Sequence, residues 1–295
     1  MTERDDLAPE DAFALVGDET RARIIRVLNE ERDGKGAPPV LSFSELYDRF
    51  DEVGSSQFNY HLQKLVGHFV ERTEDGYRVR PEGMALYRTL RGGTFRRLES
   101  TAPIDVGLNC YCCGAAVTAT YEDGVLTVQC PDCDHLYLTS TRIPSRSVDD
   151  EEALLSRLDQ FDRHKLLAFN RGVCPTCAHA IESRFVPAAE APFPHTEERD
   201  LYLHRSCERC GNVDYVSVGK SLLEHPAVVS FLREHGTDPR ERFQWEFEFA
   251  MTDRFTTVRS RDPWTVAIEL TRDGETLELI VDEEGSVRER TRSTG

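Results

Sequence analysis

Nine cysteines lie between positions 110 and 210, and eight of them form four Cys-x-x-Cys pairs. Cys110 and Cys113 are followed, after sixteen intervening residues, by Cys130 and Cys133. Cys174 and Cys177 are followed, after twenty-nine, by Cys207 and Cys210. Two such pairs can surround one ion tetrahedrally with sulfur at about 2.3 Å, leaving no position open for water. The first quartet fits the spacing of a structural zinc site, two pairs roughly fifteen to twenty residues apart. Between its pairs, VTATYEDGVLTVQC alternates about Glu122-Asp123-Gly124, which predicts two strands and hence a zinc ribbon. The second quartet has a longer insert containing the Pro/Ala loop PAAEAPFPH. CPTC and CERCG are nevertheless good knuckles, and VDYVSVG reads as a returning strand, so a second ribbon is expected. The expected cofactor is Zn2+ at two structural sites, supplying folding free energy on the order of 10–16 kcal/mol in such small modules.

Two rival uses of the thiols follow from the same residues. Disulfides do not suit an intracellular chain. A redox dithiol needs an activating setting such as a helix N-terminus, whereas these pairs fall in strand turns. Redox or metal sensing through Cys112, the ninth thiol, stands as a minority alternative. His135, His179 and His204 lie close by in sequence and are read as packing or surface groups rather than ligands.

The elements around this region are set by charge and periodicity. The chain has 295 residues, with 53 acidic against 36 basic side chains, a formal charge of −17 and only four lysines. This acidic, Lys-poor, Arg-rich balance resembles that of halophilic proteins from salt-loving archaea. A field of that sign argues against a general nucleic-acid coat protein. Residues 54–98 depart from it, with eight basic and four acidic side chains, so a phosphate partner is sought there. The start, MTERDDLAPED, is acidic with no apolar core region, so no secretory signal is expected. Without an apolar run long enough for a membrane span, the expectation is a soluble, cytoplasmic protein with no membrane partner.

Over the first hundred residues, Pro9 predicts a helix start, and Asp18 caps a helix carrying Ile24, Ile25, Val27 and Leu28. Ser42 or Ser44 caps a short helix through Leu46, Tyr47 and Phe50. Gly54-Ser55-Ser56 opens another, with Phe58, Leu62, Leu65 and Val66 on its buried face. FVERTEDGYRVR reads as a hairpin about Glu74-Asp75-Gly76, and Pro81 begins a last helix running through Met84, Tyr87, Leu90, Thr94, Phe95 and Leu98. That order is the order of a winged helix-turn-helix domain, whose second motif helix enters the DNA major groove. With the apolar residues inward, Ser56, Gln57, Asn59, Tyr60, Gln63 and Lys64 face out; Arg72, Arg78 and Arg80 on the wing are placed to meet phosphates or the minor groove.

The stretches ALVGDETRARIIRVL, FSELYDRF and SSQFNYHLQKLVGHFVERTEDGYRV resemble the ArsR-like winged-helix regulators, over about residues 8–98. The resemblance implies a homodimer built on the first and last helices, with Gln57, Asn59, Tyr60 and His61 at the operator. Thiol metal sensors of that family carry cysteines in the helix corresponding to FSELYDRF; this chain has none there, so metal sensing at that position is not expected.

Further along, Asp149 and Asp150 precede the amphipathic EEALLSRLDQFDRHKLLAF, and KSLLEHPAVVSFLREHG reads as a helix interrupted at Pro226. RFQWEFEFAM alternates with period two, which predicts a strand with Phe243, Trp245, Phe247 and Phe249 on one face. WTVAIELTRDGETLELIVDEEGSV predicts a meander with turns at Asp273-Gly274 and Glu284-Gly285. The expected fold is therefore α+β. It comprises a winged helix-turn-helix domain (1–100), a first zinc ribbon (101–148), a helix with a second ribbon (149–219), and a helix with an antiparallel β-meander (220–295).

Catalysis has little support. Gly219-Lys220-Ser221 ends like a phosphate loop, but the first glycine of that motif would fall at Asp214. No helical zinc-hydrolase motif or dinucleotide fingerprint occurs, and closed four-thiolate sites have no open metal position. The function expected is a sequence-specific regulator that binds double-stranded DNA, its second half meeting a small effector or a transcription-machinery protein. The alternative is a transcription-associated adaptor whose ribbons bind protein partners without reading DNA sequence.

Overall fold

The computed structural model describes residues 8–30, 38–93, 102–122, 125–141, 151–193 and 199–295. Two compact units divide the chain, residues 1–96 and 97–295.

The first unit is helical with one hairpin: α1 (Pro9–Val16), α2 (Glu19–Glu30), α3 (Phe43–Tyr47), α4 (Ser55–Leu65), β1 (Val70–Arg72), β2 (Tyr77–Val79) and α5 (Pro81–Arg91). Local chemistry starts each helix. Asp18 accepts from the Arg21 N–H at 3.0 Å at the head of α2. Ser42 and Glu45 form a reciprocal capping box at α3, worth about 1 kcal/mol. Pro81 occupies the first turn of α5, where its missing N–H is not needed. Phe58, Leu62 and Leu65, spaced along one face of α4, are fully buried with Ile24, Leu28 and Leu46. Each such burial contributes about 1.5–3 kcal/mol by removing apolar surface from water. Phe50 lies beyond the end of α3, yet its ring packs 4.8 Å from that of Phe58. The expected run of α5 through Thr94, Phe95 and Leu98 lies outside the described residues.

The second unit strings together three small antiparallel sheets. The first has β3 (Ile104–Asn109), β4 (Ala116–Glu122), β5 (Val125–Gln129) and β6 (Leu136–Thr141) in sequence order. A long helix, α6 (Glu151–Asn170), leads to the second sheet: β7 (Glu182–Pro187), β8 (Leu201–Ser206) and β9 (Val213–Val216). Then α7 (Val218–Ser221), α8 (Pro226–Glu234) and α9 (Glu248–Met251) precede the terminal meander β10 (Thr256–Arg261), β11 (Trp264–Arg272), β12 (Glu275–Asp282) and β13 (Val287–Thr294). One apolar cluster runs from Val117 and Leu126 through Leu158, Leu203 and Phe231 to Leu279, so the three sheets share a core.

Residues 242–251 correct the sequence expectation. Instead of a strand, Gln244–Glu246 form a 3-10 turn and Glu248–Met251 the short helix α9. The Phe243 N–H donates to Glu246 Oε1 at 2.9 Å, and the Gln244 N–H donates to Asp159 Oδ1 on α6 at 2.9 Å. Backbone donors that a strand would give to a neighbour are thus taken locally and by a helix. Trp245, Phe247 and Phe249 are buried all the same.

Buried ion pairs fix these pieces. Asp159 and Arg163 on α6 pair at 2.7 Å, and Arg163 also reaches Glu224 and the Arg242 carbonyl. Arg199 pairs with Asp253 at 2.8 Å, and Asp253 accepts from the Asp200 and Leu201 N–H groups at 2.8 and 3.0 Å. Burial pushes the Asp253 carboxyl up, against the pull of Arg199 and those two N–H donors. Arg199→Met should leave a buried carboxylate without its countercharge and cost about 3–5 kcal/mol in chemical denaturation. Removing both partners, in Arg199→Met with Asp253→Leu, should cost clearly less. Equal losses for the single and double variants would mean the pair itself is not the stabilising element.

Candidate metal centres and nucleic-acid interface

Each cysteine quartet closes on itself in space. The sulfurs of Cys110, Cys113, Cys130 and Cys133 all lie within 4.8 Å of one another, as do those of Cys174, Cys177, Cys207 and Cys210. Cys110 and Cys133 are 3.6 Å apart, Cys113 and Cys130 3.4 Å, Cys174 and Cys210 3.6 Å, and Cys177 and Cys207 3.5 Å. Four thiolates about 2.3 Å from one ion stand about 3.8 Å from each other, so each quartet could hold a metal ion. A disulfide would bring two sulfurs to about 2.05 Å, well short of the separations within either quartet.

One turn is used four times. In each knuckle the first cysteine donates its N–H to the carbonyl five residues on: Cys110 to Ala115, Cys130 to His135, Cys174 to His179 and Cys207 to Asn212. The N–H four residues after that cysteine returns to its carbonyl. That fourth residue is left-handed every time: Gly114 (φ 82°), Asp134 (φ 58°), Ala178 (φ 59°) and Gly211 (φ 70°). The conformation aims both sulfurs of a pair to one side. Glycine adopts it freely, whereas a Cβ costs roughly 1–2 kcal/mol. Ala178→Gly should therefore raise stability by about 1 kcal/mol with metal content unchanged, as read by thermal unfolding. A loss of stability would mean the Ala178 methyl packs usefully.

Hydrogen bonds prepare the leading thiol of each quartet for ionisation. At Cys110, burial is outweighed by donation from Tyr137 Oη at 3.3 Å and from the backbone N–H groups of Cys113 and Cys112, which bring the thiol down to about 6. At Cys174, burial is likewise overcome by the N–H groups of Cys177 and Thr176, the Cys210 thiol and the Asn212 amide, again to about 6. Two other thiols, Cys133 and Cys210, resist. Burial and the neighbouring sulfurs push Cys133 well above its ordinary value. Despite backbone donation from Asn212, burial and the other three sulfurs push Cys210 up to about 12. A second, third and fourth negative charge in so small a space needs a cation among them.

Partners beyond the ligands came from residues that spacing alone did not single out. Tyr137 accepts the Tyr111 N–H at 2.9 Å while donating to Cys110, and Tyr111 Oη donates to the Trp245 carbonyl at 3.2 Å. His135 is buried with Nε2 2.9 Å from the Met251 carbonyl, so it packs against α9 and is not among the quartet sulfurs. The one available signal was position: Tyr111 and His135 each sit inside or directly after a knuckle.

In the first unit, α4 sorts its residues by face. Ser56, Gln57, Asn59, Tyr60, Gln63 and Lys64 are exposed, with Phe58, Leu62 and Leu65 inward. Lys64 Nζ lies 5.7 Å from the Tyr60 ring centre. His61 falls on the other side of this division: it is buried, with Nδ1 3.2 Å from Asp18 Oδ1, and ties α4 to the head of α2. On the hairpin, Arg72 and Arg78 are exposed. Arg78 pairs with Glu71 at 2.7 Å; Arg80 donates to the Gly67 carbonyl at 2.8 Å and reaches Glu82 at 3.3 Å. Arg72 makes no ion pair among the described residues.

The molecule is thus a protein of mixed α+β structure with two four-cysteine clusters in its second unit, each able to hold a metal ion. Residues 107–287 match the family model described as a domain of unknown function, DUF7351. The match spans more than half of the chain, which belongs to that family. Residues 9–90 match a second domain of unknown function, DUF7347. No curated protein and no solved structure matches the chain. No described helix is long and apolar enough to cross a membrane.

Proposed function

We propose that this protein is a sequence-specific, double-stranded-DNA-binding transcriptional regulator, a homodimer of ArsR-like winged helix-turn-helix type with two structural zinc ions. The reading is carried by the outer face of α4. It presents Gln57, Asn59, Tyr60, Gln63 and Lys64 to solvent without a single carboxylate, in a protein of charge −17. Asn and Gln amides pair bidentately with adenine in the major groove, each good pair discriminating by about 1–3 kcal/mol. On this reading α3 and α4 are the motif helices and β1–β2 the wing, whose Arg72 meets a phosphate. Two exposed apolar side chains, Phe13 on α1 and Leu90 on α5, at 73% and 45% exposure, suit a dimer face built on the first and last helices. Zinc is the ion of choice for a closed set of four thiolates, and a reducing cytoplasm would keep those thiols free to bind it.

A second reading, an adaptor that binds proteins through its ribbons, is favoured by one observation. Opposite the buried face of the second sheet, Tyr202, His204 and Tyr215 cluster with Phe193, at 4.6–6.2 Å between ring centres. Cross-linking and sequencing of bound DNA in the native host separates the two. Sharp peaks sharing an inverted repeat, lost on Asn59→Ala with Tyr60→Ala, are the expected result. Signal spread over active promoters and indifferent to those substitutions would favour the adaptor instead.

A further inference from the structure

Between α1, the start of α2 and the C-terminal half of α4 lies a groove of about 490 Å³. Its size falls within the range of small-molecule sites, roughly 300–1,000 Å³, and far exceeds the share of a single water or simple ion, about 30 Å³. One wall is apolar, made by Ala14, Leu15 and Val66. The phenol of Tyr60 and the amide of Gln63 also line it.

Charge decides what such a groove would hold. Arg21 and Lys64 both line it, and neither makes an ion pair among the described residues. Arginines such as Arg163, Arg199 and Arg205, by contrast, face carboxylates, whereas Arg72, like Arg21, makes no ion pair among the described residues. Arg21 Nη2 donates to the Ala14 carbonyl at 3.0 Å, and its buried Nε has no acceptor. Asp11 is the one carboxylate in the lining, and His68 adds an imidazole. Two cations that make no ion pair thus share the lining with apolar side chains and a single carboxylate, in a space larger than an inorganic ion fills.

We propose that this groove binds an organic anion, an oxyanion headgroup on an apolar body, held by Arg21 and Lys64 with the body against Leu15 and Val66. Because Tyr60, Gln63 and Lys64 belong both to the groove and to the outer face of α4, an occupied groove opposes DNA binding. This second half rests on the DNA-reading function proposed above; the anion site itself does not.

The probe is the fluorescent anion anilinonaphthalene sulfonate, titrated into the full metal-loaded chain in concentrated KCl. Saturable binding at one site per chain is expected. Ala14→Trp, which fills the groove from an exposed position, and Lys64→Glu should each weaken it by at least about tenfold. Phe161→Ala, in the other unit, should leave it unchanged. Thermal unfolding of each variant, followed in parallel, separates loss of the site from loss of the fold. Binding that does not saturate at one site, or that both groove variants retain while folded, overturns the proposal. With an operator fragment in hand, the dye should displace it. An unchanged DNA affinity at saturating dye would overturn the regulatory half and leave the anion site standing. A chain that takes up the dye but binds no DNA fragment would count against the proposed regulator and the regulatory half together.

Discussion

Stripping the metal, or replacing Cys130 by Ser, is expected to unfold residues 97–295 while the helices of residues 8–93 keep their own core. Metal binding to four thiolates contributes on the order of 10–16 kcal/mol in small modules, as much as the roughly 5–15 kcal/mol that holds a whole domain together. The first quartet is placed to transmit that loss. Cys110 and Cys130 lie within the shared apolar cluster. Tyr111 and His135 carry the knuckles to the backbone of Trp245 and Met251. Without the ion, thiols pushed upward by burial and by one another would sit protonated in a space shaped for four charges. The second quartet touches that cluster less, since Cys174 and Cys207 are buried outside it. Cys207→Ser should therefore lower metal content to one ion per chain and loosen the β8–β9 turn, with a smaller loss of stability. Elemental analysis gives the metal count, and hydrogen exchange locates the melted region. A Cys130→Ser protein that lost its metal yet kept native protection in β4–β6 would show that the first ion is dispensable for folding.

The second large effect concerns DNA. Asn59→Ala with Tyr60→Ala should weaken binding to the operator by about 30- to 1,000-fold, the equivalent of about 2–4 kcal/mol of lost base contacts. Non-specific affinity should barely change, so the measured quantity is the ratio of operator to random DNA at fixed salt. Arg72→Ala should act differently, weakening both alike and reducing the salt slope by about one unit. Arg78→Ala should do less, because its guanidinium is already engaged by Glu71. His61→Ala should lower stability without altering the ratio, since the ring is turned to Asp18. A ratio unmoved by the double substitution in a folded protein would remove α4 as the reading element.

Much of this was legible in the chain. Cys-x-x-Cys spacing names metal ligands because two residues between thiols are the reach of one tight turn, whatever surrounds it. The stripe of Phe58, Leu62 and Leu65 fixes which side of α4 faces water, because helical period is local geometry. Ser42, Asp18 and Pro81 mark helix starts for equally local reasons. What needed the tertiary structure depends on contacts between residues far apart in sequence. Period two at Phe243–Phe249 satisfies a strand pattern, but Asp159, 85 residues away, takes the Gln244 N–H and the segment turns. His61 lies next to the exposed Tyr60 in sequence, and only the approach of Asp18 shows that it faces inward. Tyr137 as the donor to Cys110, and Met251 as the shared acceptor of His135 and Arg199, follow from how sheets stack. Apolar periodicity tells which face of an element is buried; it carries no information about which other element covers it, and that choice made the groove, the ion pairs and the common core.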